Sequence, residues 1–258
     1  MWKPLAVKNS QMDKISIDAI LSGDVPAVVI KNFYDKKNCQ DVVDRIKNFN
    51  TENFQNGKLK HIGPFLMAYT TKKKKYFQNT KRSQKIFDKI FLGMEKPVAE
   101  IYECIRCMSS DYSVSLAKEF KNNYSPFIIR IHKKGKSIPV HKDNVRYEGK
   151  EYCLSDIDYQ LSCVLHLQES ENGGDLLIYN KQWKKEDEKF RNIDFGYSSN
   201  LIASSECYKI SNLNSGDLVI INTKYYHKVT KITGNTPRIT LGMFLGVYRK
   251  DCKIVAWA

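Results

Sequence analysis

The feature that most limits the fold is a succession of short β-branched and aromatic runs that begins after Ser125. Polar or glycine-containing turns separate these runs, and no helix-length pattern alternates with them. Strands this short and this frequent favour an antiparallel sandwich or barrel over βαβ units. The predicted strands are Phe127–His132, Asp158–Leu167, Asp175–Asn180, Glu206–Ile210, Asp217–Asn222, Tyr225–Thr230 and Arg238–Tyr248.

The first 124 residues have a mixed, mainly helical character. A short strand is predicted at Ala27–Ile30, and the region 51–80, which has no clean period, reads as loop and hairpin. Apolar residues recur at helical spacing in three segments, Lys37–Phe49, Gln84–Phe91 and Lys96–Phe120. We expect one mainly β domain with flanking helices over residues 1–258, in which 1–124 form an N-terminal α/β support and mouth-covering region and 125–258 form the β core.

One polar and uneven segment, Lys181–Ser205, lies between two predicted strands and is long for a hairpin connection. Long loops within compact domains often cover binding sites. This segment is therefore the candidate lid.

Composition excludes some classes of function. The longest apolar stretches, such as Leu241–Val247, fall far short of the ~20 residues that span a membrane. No apolar signal segment follows Met1, and seven scattered cysteines then indicate a reducing, cytoplasmic setting. The net charge of +14 permits nucleic-acid binding, but dispersed lysines are better explained by a solvated surface.

Three side chains suggest a metal site. His141 and Asp143 are one residue apart, so in an extended strand both project from the same face while Lys142 points away. His227 follows 86 residues later, beside another predicted strand. Two neutral imidazoles and one carboxylate on one face of an octahedron leave three positions open, which is the donor set of non-haem Fe(II) oxygenases.

An arginine and a threonine form a second motif. Arg238 and Thr240 share one face of the strand that begins eleven residues after His227. A guanidinium fork and a hydroxyl together suit a buried carboxylate. The spacing predicts a dicarboxylate held at one end by the metal and at the other by Arg238.

The remaining histidines are weaker candidates. His61 and His132 are expected to be polar surface or loop residues. His166 lies in an apolar strand, where a hydrogen-bonded core histidine is the default and a second contact to the co-substrate carboxylate is the alternative.

These motifs resemble the Fe(II)/2-oxoglutarate-dependent dioxygenase superfamily, whose fold is a double-stranded β-helix, or jelly roll. The resemblance is clearest over residues 125–248. It implies Fe(II) bound by His141, Asp143 and His227, O₂ as oxidant, and the far carboxylate of 2-oxoglutarate on Arg238 and Thr240.

Three stretches resemble the carrier-independent branch that includes the hapalindole-type alkaloid halogenases. They are Ile128-Ile129-Arg130 leading to Ile138-Pro139-Val140-His141, Gly173–Asn180 with Trp183, and Tyr225-Tyr226-His227 through to Pro237-Arg238. Those halogenases carry a small residue where this chain has Asp143, and halide binds iron in that gap. The resemblance therefore implies hydroxylation of a small molecule, such as an amino acid or a natural-product intermediate, instead of halogenation.

The resemblance also suggests substrate contacts. Ile138 corresponds to a substrate-facing position, and Phe65 and Tyr69 lie in a region that covers the mouth in these relatives. Ordinary core packing is the alternative for all three. Asn144, just past Asp143, is either a partner for an iron ligand or bound oxygen at the substrate side of the site, or a simple turn residue.

Several alternatives share these cofactors or this fold. Desaturation or oxidative cyclisation would use the same ligands, and hydroxylation of a protein side chain is not distinguished by the sequence. AlkB-type nucleic-acid demethylases carry an arginine six residues after the co-substrate arginine, where this chain has Phe244, so nucleic acid is not the expected substrate. A non-enzymatic jelly-roll module would have an incomplete metal set. The sequence does not reveal the oligomeric state.

Overall fold

The computed structural model describes residues 2–48, 55–56, 59–193 and 196–258. Its helices are α1 (Asp18–Ser22), α2 (Lys36–Lys47), α3 (Lys73–Ile90), α4 (Pro97–Met108) and α5 (Val145–Glu148). Short 3-10 helices cover Asn9–Lys14, Leu66–Tyr69, Cys153–Asp156, Lys185–Phe190 and Ser199–Ile202.

The strands before residue 125 are β1 (Leu5–Lys8), β2 (Ala27–Lys31), β3 (Gln55–Asn56), β4 (Leu59–Ile62), β5 (Ser113–Leu116), β6 (Lys118–Glu119) and β7 (Asn122–Asn123). Those that follow are β8 (Ile128–His132), β9 (Ile138–His141), β10 (Tyr159–Gln168), β11 (Leu176–Gln182), β12 (Arg191–Ile193), β13 (Gly196–Tyr197), β14 (Cys207–Ile210), β15 (Leu218–Asn222), β16 (Tyr225–Val229), β17 (Arg238–Tyr248) and β18 (Lys253–Trp257).

Two sheets face each other and form a jelly-roll core. The larger has ten strands in the order β1-β2-β15-β10-β17-β8-β4-β3, with β18 pairing the second half of β17 and β5 pairing β18. The smaller has the order β14-β11-β16-β9. Apolar side chains of both sheets meet between them, Val219 and Ile221 from the larger and Leu176 and Ile178 from the smaller. The expected mainly β, jelly-roll architecture with flanking helices is therefore confirmed.

The helices cover the outer face of the larger sheet. Alternate residues of β10 and β17 point outwards, as Leu161 and Leu241 do, and they pack with Val42 of α2 and Ile105 of α4 in the main core. The other set of alternate residues points to the space between the sheets, because successive side chains of a strand face opposite sides. The polar residues of β8, β10 and β17 belong to that inner set.

All seven strands predicted after Ser125 are present within one or two residues of their expected bounds. The prediction of loop over 51–80 is wrong from Lys73, where α3 begins. Thr80 and Ser83 lie on the buried face of α3 and hide its period, because they are small and polar. The predicted helix Lys96–Phe120 ends at Met108, because the segment after it pairs with β18. Helix α2 matches its prediction to Lys47, and Phe49 is outside the described residues.

Strands from the N-terminal region complete the larger sheet. β2 pairs with β15, β4 with β8, and β5 with β18. The partners of these strands are far away in the chain. Local sequence pattern therefore cannot predict this pairing. Among the described residues, no helix combines the length and apolar character needed to cross a membrane.

Candidate metal centre and co-substrate pocket

The three proposed metal ligands come together at one point between the sheets. β9 and β16 are antiparallel neighbours that place His141 directly opposite His227, with their ring centroids 4.1 Å apart. Asp143 follows the end of β9, and its Oδ2 lies 3.3 Å from Nε2 of His227. One ligand atom from each residue lies within 4.8 Å of the others. This arrangement can hold one metal ion.

Both imidazoles are oriented by the backbone. Nδ1 of His141 lies 2.9 Å from the carbonyl oxygen of Pro139, and Nδ1 of His227 lies 2.9 Å from that of Tyr225. A carbonyl oxygen can only accept, so Nδ1 carries the proton in each ring and donates it. The lone pair is then on Nε2, the atom that faces the partner ligands. Such outer hydrogen bonds fix the tautomer of metal-binding histidines.

Electrostatics favour the protonation states that a metal requires. Burial and the neighbouring His227 lower the pKa of His141 to about 4. Burial alone would raise the pKa of Asp143, but the adjacent imidazoles of His227 and His141 and the guanidinium of Arg130 outweigh it, and the pKa falls to about 2. At neutral pH, His141 is therefore neutral and Asp143 is ionised.

The backbone of Asp143 is fixed to the larger sheet. Thr223, fully buried between β15 and β16, donates its hydroxyl to the carbonyl oxygen of Asp143 at 2.9 Å and to that of Gln160 at 3.1 Å. The amide of Asp143 donates to the carbonyl of Thr223 at 3.3 Å. Gln160 in turn accepts from the amide of Val145 through its side chain. These bonds hold the turn after β9 in register with both sheets.

Lys142 points to the opposite side of β9, as predicted, and is buried there. Its Nζ lies 2.6 Å from Oε1 of Glu148 and over the rings of Tyr147 and Trp183, at 5.2 and 4.7 Å from the centroids. Glu148 also pairs with Arg191 at 2.8 Å. We name the set of Lys142, Tyr147, Glu148, Trp183 and Arg191 the outer-face network.

The candidate lid Lys181–Ser205 contributes to this network and to an apolar cluster outside the smaller sheet. In its described part, Tyr197, Leu201 and Ile202 pack on Val140 and Tyr226. Val140 and Tyr226 alternate with the metal ligands, so they occupy the face away from the metal centre. The segment supports β9 and β16 from behind instead of covering the mouth, because its apolar residues need that face to be buried.

Arg238 opens β17 within a buried polar pocket. Its guanidinium Nε lies 4.0 Å from Oε2 of Glu169, whose Oε1 is 2.5 Å from Nδ1 of His166. Thr240 stands directly opposite His166 on the neighbouring strand. Nε of Arg238, Nε2 of His166 and Nε2 of His132 are buried and lack hydrogen-bond partners within the described part of the chain. Orphaned polar atoms so close together indicate a site for a polar ligand.

The two histidines of this pocket differ in what they can offer. Nδ1–H of His166 donates to Glu169, so Nε2 of the neutral ring carries a lone pair and can only accept. Burial lowers the pKa of His166, with Glu169 opposing the shift. A contact from His166 to a carboxylate therefore requires a second proton on its ring, and that expectation stays a prediction.

His61 and His132 are not surface or loop residues, and that prediction is wrong. Both are buried, His61 on β4 and His132 on β8, where His132 stands opposite Arg238. Burial and the charge of Arg238 lower the pKa of His132 to about 3, so its ring is neutral. The polar-apolar alternation Arg130-Ile131-His132 was the signal that both polar side chains share the inner face.

The expected substrate residues lie in different surroundings. A bulge between β9 and β16 turns Ile138 towards the apolar cluster between the sheets. The ring centroid of Phe65 lies 6.2 Å from that of Phe244. The guanidinium carbon of Arg130 lies over the Phe65 ring, 5.0 Å from its centroid.

Tyr69 and Asn144 have structural partners. The ring of Tyr69 packs on Tyr76, and its hydroxyl accepts a hydrogen bond from Asn79 at 2.8 Å. Asn144 caps α5, accepting from the amide of Tyr147 at 3.2 Å, which favours its turn role over a substrate contact. Substrate contacts from these two residues stay predictions.

The residues present fit iron and 2-oxoglutarate. Two imidazole Nε2 atoms and one carboxylate give the facial donor set that leaves three coordination positions for other ligands. The unpartnered Nε–H of the Arg238 guanidinium provides a second, separate place for an anion. A dicarboxylate that chelates a metal through one end has a receptor for its other end.

Solved structures with the same fold include two of one enzyme. A dioxygenase of N-substituted L-amino acids from Burkholderia ambifaria AMMD aligns with a TM-score of 0.62 in complex with α-ketoglutarate and of 0.61 in a second structure. In each case the identity is 14%, and the alignment covers 97% of this chain and 91% of that one. HygX from Streptomyces hygroscopicus, with nickel and 2-oxoglutarate bound, aligns with a TM-score of 0.51 and 11% identity, covering 91% of this chain and 88% of that one.

Fold and site together define the class: this chain is a non-haem iron oxygenase of the 2-oxoglutarate-dependent superfamily. Within that class it belongs to the family of the carrier-protein-independent halogenase WelO5, whose family model matches residues 1–258. No curated protein is similar enough in sequence to count as a match.

Proposed function

We propose that this enzyme hydroxylates an unactivated C–H bond of a small molecule, an amino acid or a natural-product intermediate, and does not halogenate it. The observation that supports this most directly is Asp143 in the ligand cluster, where its ionised carboxylate takes the position that a halide would need. A C–H hydroxylase requires a third protein ligand, and this chain supplies one.

In this proposal His141, Asp143 and His227 hold Fe(II), and Arg238 and Thr240 hold the far carboxylate of 2-oxoglutarate. When bound, iron and 2-oxoglutarate supply the activation of O₂, with oxidative decarboxylation of the co-substrate to succinate and CO₂. The chain's own part is orientation. Backbone carbonyls fix both imidazole tautomers, Thr223 fixes the Asp143 turn, and His132 offers an unpartnered Nε2 beside Arg238.

Apolar side chains between the sheets keep water from the substrate. Ile138 packs on the apolar cluster between the sheets, and the rings of Phe65 and Phe244 pack on each other. A C–H bond has no polar handle, so its position must be fixed by shape and by contacts elsewhere on the substrate. Exclusion of water also protects the oxidant from side reactions.

Halogenation is the second candidate, because the family is described as a halogenase family. The two candidates differ in whether chloride reaches the metal. We would record the visible charge-transfer band of the Fe(II)·2-oxoglutarate complex with and without chloride, for the wild type and for Asp143→Gly. The band of the wild type should not respond to chloride, while that of the Asp143→Gly variant should shift.

A chloride-dependent band in the wild type would overturn the hydroxylase assignment and support the halogenase. The same preparations serve for succinate release with Fe(II), 2-oxoglutarate and O₂. Asp143→Ala should abolish succinate release and weaken iron binding, because it removes the only anionic ligand of the set. Turnover at the wild-type rate would contradict the assigned ligand role.

A further inference from the structure

Arg130 places a second guanidinium in the interior of the barrel, apart from Arg238. It lies on the inner face of β8, with Thr240 opposite it on β17 and His61 opposite it on β4. Burial lowers its pKa to about 10, against the opposing attraction of Asp143, so it remains a cation at neutral pH.

Among the residues that the structure describes, Arg130 has no acidic partner of its own. Within the described ranges, no ion pair or hydrogen bond is formed by its guanidinium, whose close contact is the face of Phe65 at 5.0 Å. The carboxylate that attracts it, Asp143, lies 3.3 Å from His227 and belongs to the metal cluster. Arg130 is half-buried, and a guanidinium withdrawn this far from water is stabilised by an anion, because a desolvated charge without a partner is costly.

The fold keeps space free for this guanidinium. A Cβ atom added to Gly242 on β17 would lie 2.7 Å from Nη1 of Arg130, closer than real Cβ contacts come. Phe244, two residues further along the same face, contacts Phe65. Arg130 therefore lies against an aromatic wall and within electrostatic reach of the metal ligand Asp143.

We propose that Arg130 is the receptor for a carboxylate on the substrate, whose apolar body lies against Phe65 and Phe244. This rests on the proposed function and names its substrate class: small organic acids with an apolar or aromatic portion. The co-substrate has its own receptor, because the unpartnered atoms of Arg238 and His132 lie one step further along the two strands. The guanidinium lies over the Phe65 ring, and a guanidinium can bind a carboxylate through two parallel hydrogen bonds.

The test measures binding next to the metal with defined probes. Protein is loaded with Mn(II) in place of iron and saturated with 2-oxoglutarate, and proton relaxation is recorded for 3-phenylpropionate and N-acetyl-L-leucine. Their uncharged carboxamides are the matched probes, and Zn(II)-loaded protein is the diamagnetic control. Each acid should bind at least about tenfold more tightly than its amide, because a hydrogen bond to a charged group is worth at least that factor.

Arg130→Gln should remove the preference for the acid, and Gly242→Ala should weaken it while leaving the charge in place. If Arg130→Gln does not fold, the preference of Gly242→Ala for acids over amides tests the proposal in its place. Arg249→Gln is the matched control, because Arg249 also lies over an aromatic ring, Tyr159 at 4.7 Å, but on the exposed surface. It should bind the acids as the wild type does.

The proposal is overturned if the wild type shows no preference for acids, or if the preference survives in Arg130→Gln. It is also overturned if the KM of Arg130→Gln for 2-oxoglutarate rises by as large a factor as its affinity for the acids falls. That result would assign Arg130 to the co-substrate. Succinate release without a probe is measured on the same wild-type preparation with Fe(II). If none is released, the proposed function fails, while the Mn(II) experiment still reports whether Arg130 binds the acids.

Discussion

The position of the ring proton determines which nitrogen of each histidine in this site can bind a metal or accept a hydrogen bond. His141 and His227 donate from Nδ1 to backbone carbonyls, which leaves Nε2 of each for a metal. His166 donates to Glu169, and His132 retains an unpartnered Nε2. Three of these four histidines therefore have the same tautomer, which two backbone carbonyls and one glutamate determine.

The first prediction concerns Arg238. Replacement with alanine should raise the KM for 2-oxoglutarate at least about tenfold, because the variant loses a buried charge-assisted contact to a carboxylate. Succinate release measured against 2-oxoglutarate concentration gives this value. The KM of Arg238→Lys for 2-oxoglutarate should lie between those of the wild type and the alanine variant, since lysine keeps the charge but not the guanidinium fork. An unchanged KM in the alanine variant would show that the receptor is elsewhere.

The sequence identified the metal ligands as candidates because their spacing reports geometry directly. Residues i and i+2 of a strand share a face, so His141 and Asp143 needed only a partner strand to meet His227. His132 and Arg130 were harder to identify as site residues, because a polar residue in a strand is equally compatible with a solvent-exposed face. Only the packing of helices on the other side of the larger sheet shows that this face is interior.

At the level of elements, strand β9 is held from both sides. Its inner face carries His141, and on its outer side Lys142 extends into the outer-face network with Glu148 and Trp183. The side chain between two metal ligands is thereby fixed away from the metal. We expect this to keep the strand extended through Asp143.

The second prediction tests that support. Lys142→Met should weaken Mn(II) binding about tenfold, the lower end of the range for residues that orient metal ligands. Free Mn(II) measured by electron paramagnetic resonance gives the dissociation constant. Lys228→Met is the control, because Lys228 adjoins His227 and lies 5.8 Å from the Tyr179 ring centroid, but forms no ion pair within the described part of the chain. Equal losses in both variants would contradict a specific role for Lys142.

Helix α3 is joined to the end of β18 by a buried tyrosine. The Tyr76 hydroxyl donates to the carbonyl oxygen of Ala258 at 2.6 Å and accepts from the amide of Ser125 at 3.1 Å. By contrast, the hydroxyl of Tyr102 on α4 is buried with no hydrogen-bond partner among the residues described. Two tyrosines on neighbouring helices therefore differ in whether their hydroxyls contribute to stability.

This difference gives the third prediction. Tyr76→Phe should lower the free energy of unfolding by about 1–3 kcal/mol, because it leaves buried backbone groups without a partner. Tyr102→Phe should be neutral or stabilising, since it removes an unsatisfied polar atom. Urea unfolding of both variants measures the two values. A loss of the same size in both would show that ring packing, not the hydroxyl, matters at Tyr76.

At the scale of the whole molecule, strands with a clear local sequence pattern could be predicted, whereas strands that depend on pairing with distant residues could not. The strands after Ser125 are bounded by turns and are rich in β-branched residues, so their sequence was sufficient. The segment Ser113–Leu116 is a strand because β18 lies beside it, and the preceding helical spacing gave no sign of that. The Lys181–Ser205 segment was predicted as a lid, and the packing of its described part outside the smaller sheet was not foreseen, since the partners in that apolar cluster lie elsewhere in the chain.

The central claim is that His141, Asp143 and His227 bind one metal ion while Arg238 anchors 2-oxoglutarate. Crystals grown with Mn(II) and 2-oxoglutarate, with anomalous diffraction data for manganese, test it most directly. We expect one anomalous peak within bonding distance of Nε2 of both histidines and a carboxylate oxygen of Asp143, and a co-substrate that reaches from this peak to Arg238. A peak elsewhere, or an Asp143 carboxylate turned away from the ion, would contradict it.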